Sequence, residues 1–136
     1  MPVTDWLDLI RSYIHTRWAV VGDGSKLVPE NVNFKPTNDQ KFVAYQVRPI
    51  ETAWVCAGSA DTIGAVLFTA HAPVGRGPEA AEDLLELAIS TIRRKTPTET
   101  GGVQFEDGSV EALGPDDQGR FLVNGRVPFY YQEAIT

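Results

Sequence analysis

A buried strand, a tight turn and an amphipathic helix follow one another between Ile63 and Lys95, and the remaining chain must pack on them. Residues Ala65 to Ala72 form a nearly continuous apolar run, which belongs in a strand covered on both faces, near the middle of a sheet. Ala72-Pro73-Val74-Gly75-Arg76-Gly77 is the turn, and Pro78 suits the first helical position, where its missing N–H costs nothing. Ala81, Leu84, Leu85, Ala88, Ile89 and Ile92 recur at helical spacing and make one apolar stripe. Glu79, Glu82 and Asp83 complement the positive end of the helix dipole, and Arg93, Arg94 and Lys95 the negative end. Pro97 marks a stop, so the spacing predicts a long helix from about Pro78 to about Arg94.

Ahead of this core, Thr4 suits an N-cap, and Trp6, Leu9, Ile10, Tyr13, Ile14 and Trp18 fall at helical spacing. They predict a first helix from about Asp5 to about Arg17. Its two tryptophans either pack on the sheet or form an exposed partner site; large aromatics at core spacing favour packing. Gly22-Asp23-Gly24-Ser25 is a turn, and Pro29 confines any strand in residues 27–34 to an edge. Residues 35–41 read as a loop and Phe42 to Ile50 as a strong strand. Residues 52–57 are another strand, or its continuation past Pro49. Gly58 to Asp61 reads as the turn into the central strand.

After the helix, Val103 to Glu106 alternates as a short strand, Ser109 to Leu113 is a strand or merely extended, and residues 114–119 form an acidic turn. Asn124-Gly125, between two apolar runs, predicts a hairpin with a type I′ turn. Pro128 places its strand at an edge or a bulge. The expected fold is a single α+β domain over residues 1–136. It has one mostly antiparallel or mixed sheet carrying an N-terminal helix and a long central helix.

Composition narrows the function. Net charge is −6, from 18 acidic and 12 basic residues, which disfavours a protein built to grip nucleic-acid phosphates. Cys56 is the sole cysteine, so no internal disulfide or cysteine metal cage can form, and its apolar neighbours make it a core thiol. The N-terminus lacks a signal-peptide pattern and no segment suits a membrane span, so a cytoplasmic location is expected. Gly75-Arg76-Gly77 precedes a helix, where phosphates can bind, but no P-loop or dinucleotide fingerprint follows and acids crowd that helix end. His71 has two readings, a general base near that turn or a structural strand residue, and no motif supplies a catalytic partner. His15 reads as solvated. No metal or cofactor site and no catalytic constellation emerges, so an enzyme is not expected.

The order of these features resembles the tail terminator (tail completion) proteins of long-tailed bacteriophages. Asn31 to Pro36 matches an Asn-x-x-Phe-x-Pro segment, and Phe68 to Gly77, with Pro73, Gly75 and Gly77, matches an apolar strand and turn. Gly102-Val103-Gln104-Phe105 matches a Gly-Val-x-Phe strand, and Val127 to Tyr131 a closing Pro-Phe-x-Tyr strand. The resemblance implies a ring homo-oligomer, a hexamer, on the end of a finished tail tube. That ring stops tube polymerisation and offers the head–tail connector a surface, while DNA passes through without specific binding. It implies assembly in the host cytoplasm and residence in the tail or neck of the virion. An acidic small domain with exposed turns and an edge strand suits such assembly. The candidates for partner or ring contact are Arg76 on the turn, Asp116 and Asp117 on the polar loop, and the aromatics Phe129, Tyr130 and Tyr131. The rival readings are another phage neck or head-completion protein, and a small cytoplasmic enzyme using His71.

Overall fold

The structure is a computed structural model; it describes all residues except 1, 2, 30, 31, 33, 57, 58, 117, 118, 135 and 136, and side chains except also those of 3–6, 50–56, 59, 60, 99, 112 and 132–134. The chain runs α1 (Val3–Val21), β1 (Lys26–Pro29), β2 (Phe42–Cys56), β3 (Ser59–His71) and α2 (Pro78–Ser90). A short 3₁₀ turn (Thr98–Thr100), β4 (Gln104–Phe105), β5 (Ser109–Pro115) and β6 (Phe121–Ala134) complete it. The six strands form one mixed sheet in the order β1-β2-β3-β6, with β4 and β5 sharing the far edge of β6. Among the described strands, β1 and β2 run parallel and the other pairs are antiparallel. The expected α+β class therefore holds, and β3 lies in the interior of the sheet as its apolar run requires.

The helices lie against one sheet face. Val43, Tyr45 and Val47 of β2, Val66, Phe68 and Ala70 of β3, and Val123, Val127 and Phe129 of β6 point to them and are buried. From α1 come Ile10, Ile14 and Trp18, spaced one helical turn apart. Trp18 thus takes the packing role, and its indole N–H donates to the Ser25 carbonyl at 2.9 Å. The side chain of Trp6 lies outside the described residues. From α2 the whole expected stripe is buried: Ala81, Leu84, Leu85, Ala88, Ile89 and, just past the helix, Ile92.

Four expectations need correction. The central helix is not long: it ends at Ser90 after 13 residues. Ser90 Oγ donates to the Leu87 carbonyl at 2.6 Å and Thr91 Oγ1 to the Ala88 carbonyl at 2.7 Å. Such hydroxyl back-bonding competes with the helix ladder. Arg94 then adopts a left-handed conformation (φ 59°), and its N–H donates to the Glu106 carbonyl, turning the chain onto β4. The first helix is longer than its apolar pattern, running to Val21. Ser59 to Asp61 belong to β3 rather than to a turn. Of the two readings for the residues after Pro49, continuation is the one found: β2 passes Pro49 as one strand, with a shift in register between Pro49 and Glu51.

The fourth correction concerns Asn124-Gly125, which makes no hairpin. β6 passes through it as one strand, and Gly125 has no positive φ. Packing explains the pair. A Cβ on Gly125 would stand 2.9 Å from both Ile89 Cδ1 and Leu85 Cδ1, so glycine lets α2 close onto the sheet. Asn124 faces the other way, and its Oδ1 accepts from Thr69 Oγ1 at 2.7 Å. Pro128 pairs with Ala65 of β3 on one side, while its carbonyl accepts from Glu106 N–H on the other. Its missing N–H points to that second side, where β6 passes from β5 to β4. An interior strand thus carries a proline at a break between neighbours.

Candidate functional site

Three connecting segments meet at the end of the sheet where β2 and β6 begin and β3 stops: residues 35–41, residues 72–77, and, between β5 and β6, the described residues 116, 119 and 120. Backbone bonds tie them together. Val74 N–H donates to the Asn38 carbonyl at 2.8 Å, Gly75 N–H to Gly119 at 3.1 Å, and Ala72 N–H to Phe121 at 3.0 Å.

Arg120 locks the arrangement. It is only 3% exposed, and its Nη1 donates to the carbonyls of Gln40 at 2.5 Å and Ala72 at 3.0 Å. Its Nη2 donates to the Thr37 carbonyl. A buried guanidinium needs such partners, and its planar fork can serve several carbonyls at once. Asp116 positions the arginine backbone: its Oδ1 accepts from Arg120 N–H at 2.8 Å, and its own N–H donates to the Arg120 carbonyl at 2.7 Å.

Beneath the guanidinium lies an aromatic stack on the face away from the helices. The Arg120 guanidinium carbon lies 5.4 Å from the Phe42 ring centre. His71 stacks on Phe42 at 4.1 Å and 11°, and Phe34 meets Phe42 edge-on at 5.1 Å. Burial and then the Arg120 charge push the His71 pKa down to about 4, against a smaller upward pull from Asp116. His71 is therefore neutral at physiological pH, and a base that weak is poorly matched to proton transfer there. His15 is exposed, meets Tyr45 edge-on at 5.4 Å, and has its pKa lowered by partial burial.

Arg76 is exposed at the tip of the loop after β3, and Asp116 lies on the neighbouring loop, so these two candidates share one end of the molecule. Asp117 lies outside the described residues. The aromatic triplet is elsewhere, eight residues along β6 from Leu122 to Tyr130, or ~26 Å at the usual rise per residue. Phe129 and Tyr131 are buried in the core under the helices, which corrects their place among exposed contact candidates. Phe129 fills the space over Gly64, where a Cβ would stand 2.4 Å from its ring. Tyr130 points to the opposite face, half-buried, with its hydroxyl hydrogen-bonded to Asp61, and that bond, with a smaller effect of desolvation, raises its pKa.

Sequence reasoning passed over Arg120, whose only signal was a basic residue directly after an acidic turn. It also passed over an open groove of about 520 Å³ on the helix-free face, lined by Ala44, Gln46, Leu67, Thr69, Glu111 and Arg126 among others. Among the described residues, no group of three or more His, Cys, Asp or Glu side chains could hold a metal ion, and no helix is long and apolar enough to cross a membrane. The side chain of Cys56 lies outside the described residues.

No family model and no curated protein matches the sequence. The chain is similar to a solved structure that carries no functional name, with a TM-score of 0.65 and 18% identity over 91% of this chain and 94% of the other. That likeness shows a shared fold over nearly the whole of both chains.

Proposed function

We propose that this protein is a phage tail terminator: a ring on the end of the tail tube that stops polymerisation and presents a surface for the head connector. The observation that carries the reading is where the resemblance falls. Phe68 to Gly77 runs from the end of β3 through one of the three locked loops, Pro36 belongs to another with Phe34 just ahead of it, and Val127 to Tyr131 lies within β6. The loop end is rigid without being catalytic in its geometry. Arg120 is committed to three backbone carbonyls, His71 is stacked and neutral, and Arg76 stands free of that network at the tip. A fixed frame with exposed charge suits recognition of a second protein surface, because little side-chain order is lost on docking. The acidic chain suits a ring through which DNA slides.

The test is growth of purified tail-tube protein with and without this protein. Wild type caps tubes and stops elongation, and Arg76→Glu or Asp116→Lys, once shown to fold, lets tubes overgrow. Tube growth unaffected by the wild type removes the terminator reading; connector binding in its place would move the protein to the neck.

A further inference from the structure

The sheet has two unpaired lateral edges among the described strands, the outer sides of β1 and β5. The edge of β4 is closed instead: Phe105 N–H donates to the Lys95 carbonyl at 2.9 Å and Arg94 N–H to the Glu106 carbonyl at 3.1 Å. Open edges expose backbone donors and acceptors and recruit another strand unless blunted. Here they are also flanked by large apolar side chains. Val110 and Leu113 of β5 are each 51% exposed. Near the opposite edge, Val20 at the end of α1 is 69% exposed and Val32 after β1 is 54% exposed.

The registers place the two edges at one level. Leu27, Val43, Ala70, Val123 and Ala112 form one row across five strands, and Val28, Ala44, Thr69, Asn124 and Glu111 form the next. Counting directions through the same ladder, β5 runs opposite to β1. A neighbour placed with its β1 beside this β5 therefore meets it antiparallel, in register, with no slip along the strands. Charge agrees with that register. Lys26 and Glu111 are exposed, lie on the helix-free face and fall two rows apart, a diagonal that long side chains span.

We propose that copies of this chain join head to tail by antiparallel pairing of β5 in one protomer with β1 in the next, with Glu111 facing the neighbour's Lys26. Each interface uses two different edges, so every chain offers one donor edge and one acceptor edge, and the assembly grows until it closes. The proposal rests on the ring reading above and names its interface.

Disulfide trapping tests it. In a Cys56→Ala background, Lys26→Cys and Leu113→Cys are introduced together, because Lys26 lies in the row of Gly114, next to Leu113. Mild oxidation of the concentrated, folded protein yields a ladder of covalent oligomers ending at one closed size, while each single cysteine variant stays uncrosslinked. Monomer alone from the double variant, or a dimer band from a single variant, overturns the proposal. A charge swap gives a second measure. Lys26→Glu and Glu111→Lys each weaken self-association by roughly fivefold, as expected for a cross-strand ion pair turned repulsive, and the double swap restores it. A double variant as weak as the singles also overturns the register. Crosslinking without effect on tube growth would sink the terminator reading and leave this interface standing; tube capping without the ladder would do the reverse.

Discussion

The two faces of the sheet are built from alternate residues of the same strands and are closed in different ways. Two helices cover one face over an aliphatic and aromatic core, and among the described residues the buried charged side chain, Arg120, lies outside that core. The other face is open over Thr69, Asn124, Arg126 and Glu111, and one corner of it is closed by the Phe34, Phe42, His71 and Arg120 cluster. Helices close a face through the area they bury. The corner closes through directed bonds from one cation to loop carbonyls, which hold loops in a shape that apolar contact alone leaves loose.

That contrast is most sharply broken on the helix side. Leu85→Asp places an unpaired carboxylate in the helix–sheet seam and is expected to cost roughly 3 kcal/mol or more, read as a lower denaturant midpoint. A variant that melts like the wild type would show that this face does not hold the molecule together.

Next comes Arg120→Met, which keeps volume but strips the carbonyls of Thr37, Gln40 and Ala72 of their charged donor. It is expected to cost about 2 kcal/mol, with faster amide exchange confined to the three loops. Exchange spread evenly over the sheet would instead make Arg120 an ordinary core residue.

The smallest effect is on pH dependence. His71 has its pKa lowered to about 4 in the folded protein, so between about pH 6.5 and 4 the unfolded chain binds more protons at this site than the folded one. Its contribution is full above pH 6.5 and is lost as pH falls toward 4. His71→Asn should flatten the fall in stability across that window, with a modest amplitude because the ring is part-exposed. His15, also lowered, falls in the same direction and remains in both proteins. An unchanged slope would mean that the stacked imidazole does not sense the corner.

Much of the helix side was legible in the sequence. The α2 stripe, the β2 and β3 runs and Pro78 follow from periodicity and backbone chemistry that local sequence displays. The misses share one cause: contacts between distant residues overrode local preference. Asn124-Gly125 carries a hairpin pattern, yet the absent side chain at Gly125 is filled by Leu85 and Ile89, some 36 to 40 positions earlier in the numbering. The helix stopped at Ser90 because hydroxyl back-bonds and the pairing of Arg94 with Glu106 drew the chain away. Alternation within the Phe129 triplet showed that neighbouring side chains face opposite ways, but not which side the helices take. Arg120 was illegible because its partners lie 48 to 83 residues away.

Those separations also set an order in time. A chain emerging from its amino end carries residues 37 to 41 and 72 long before residue 120 exists, and closing so wide a loop carries an entropic cost that only the finished β6 can repay. The loop end that carries Arg76 is therefore held by contacts of large sequence separation, the class that carries the highest closure cost. A chain that stops short of residue 120 has no donor to place between the carbonyls of Thr37, Gln40 and Ala72, so this end of the sheet is tied together by its most distant neighbour in sequence.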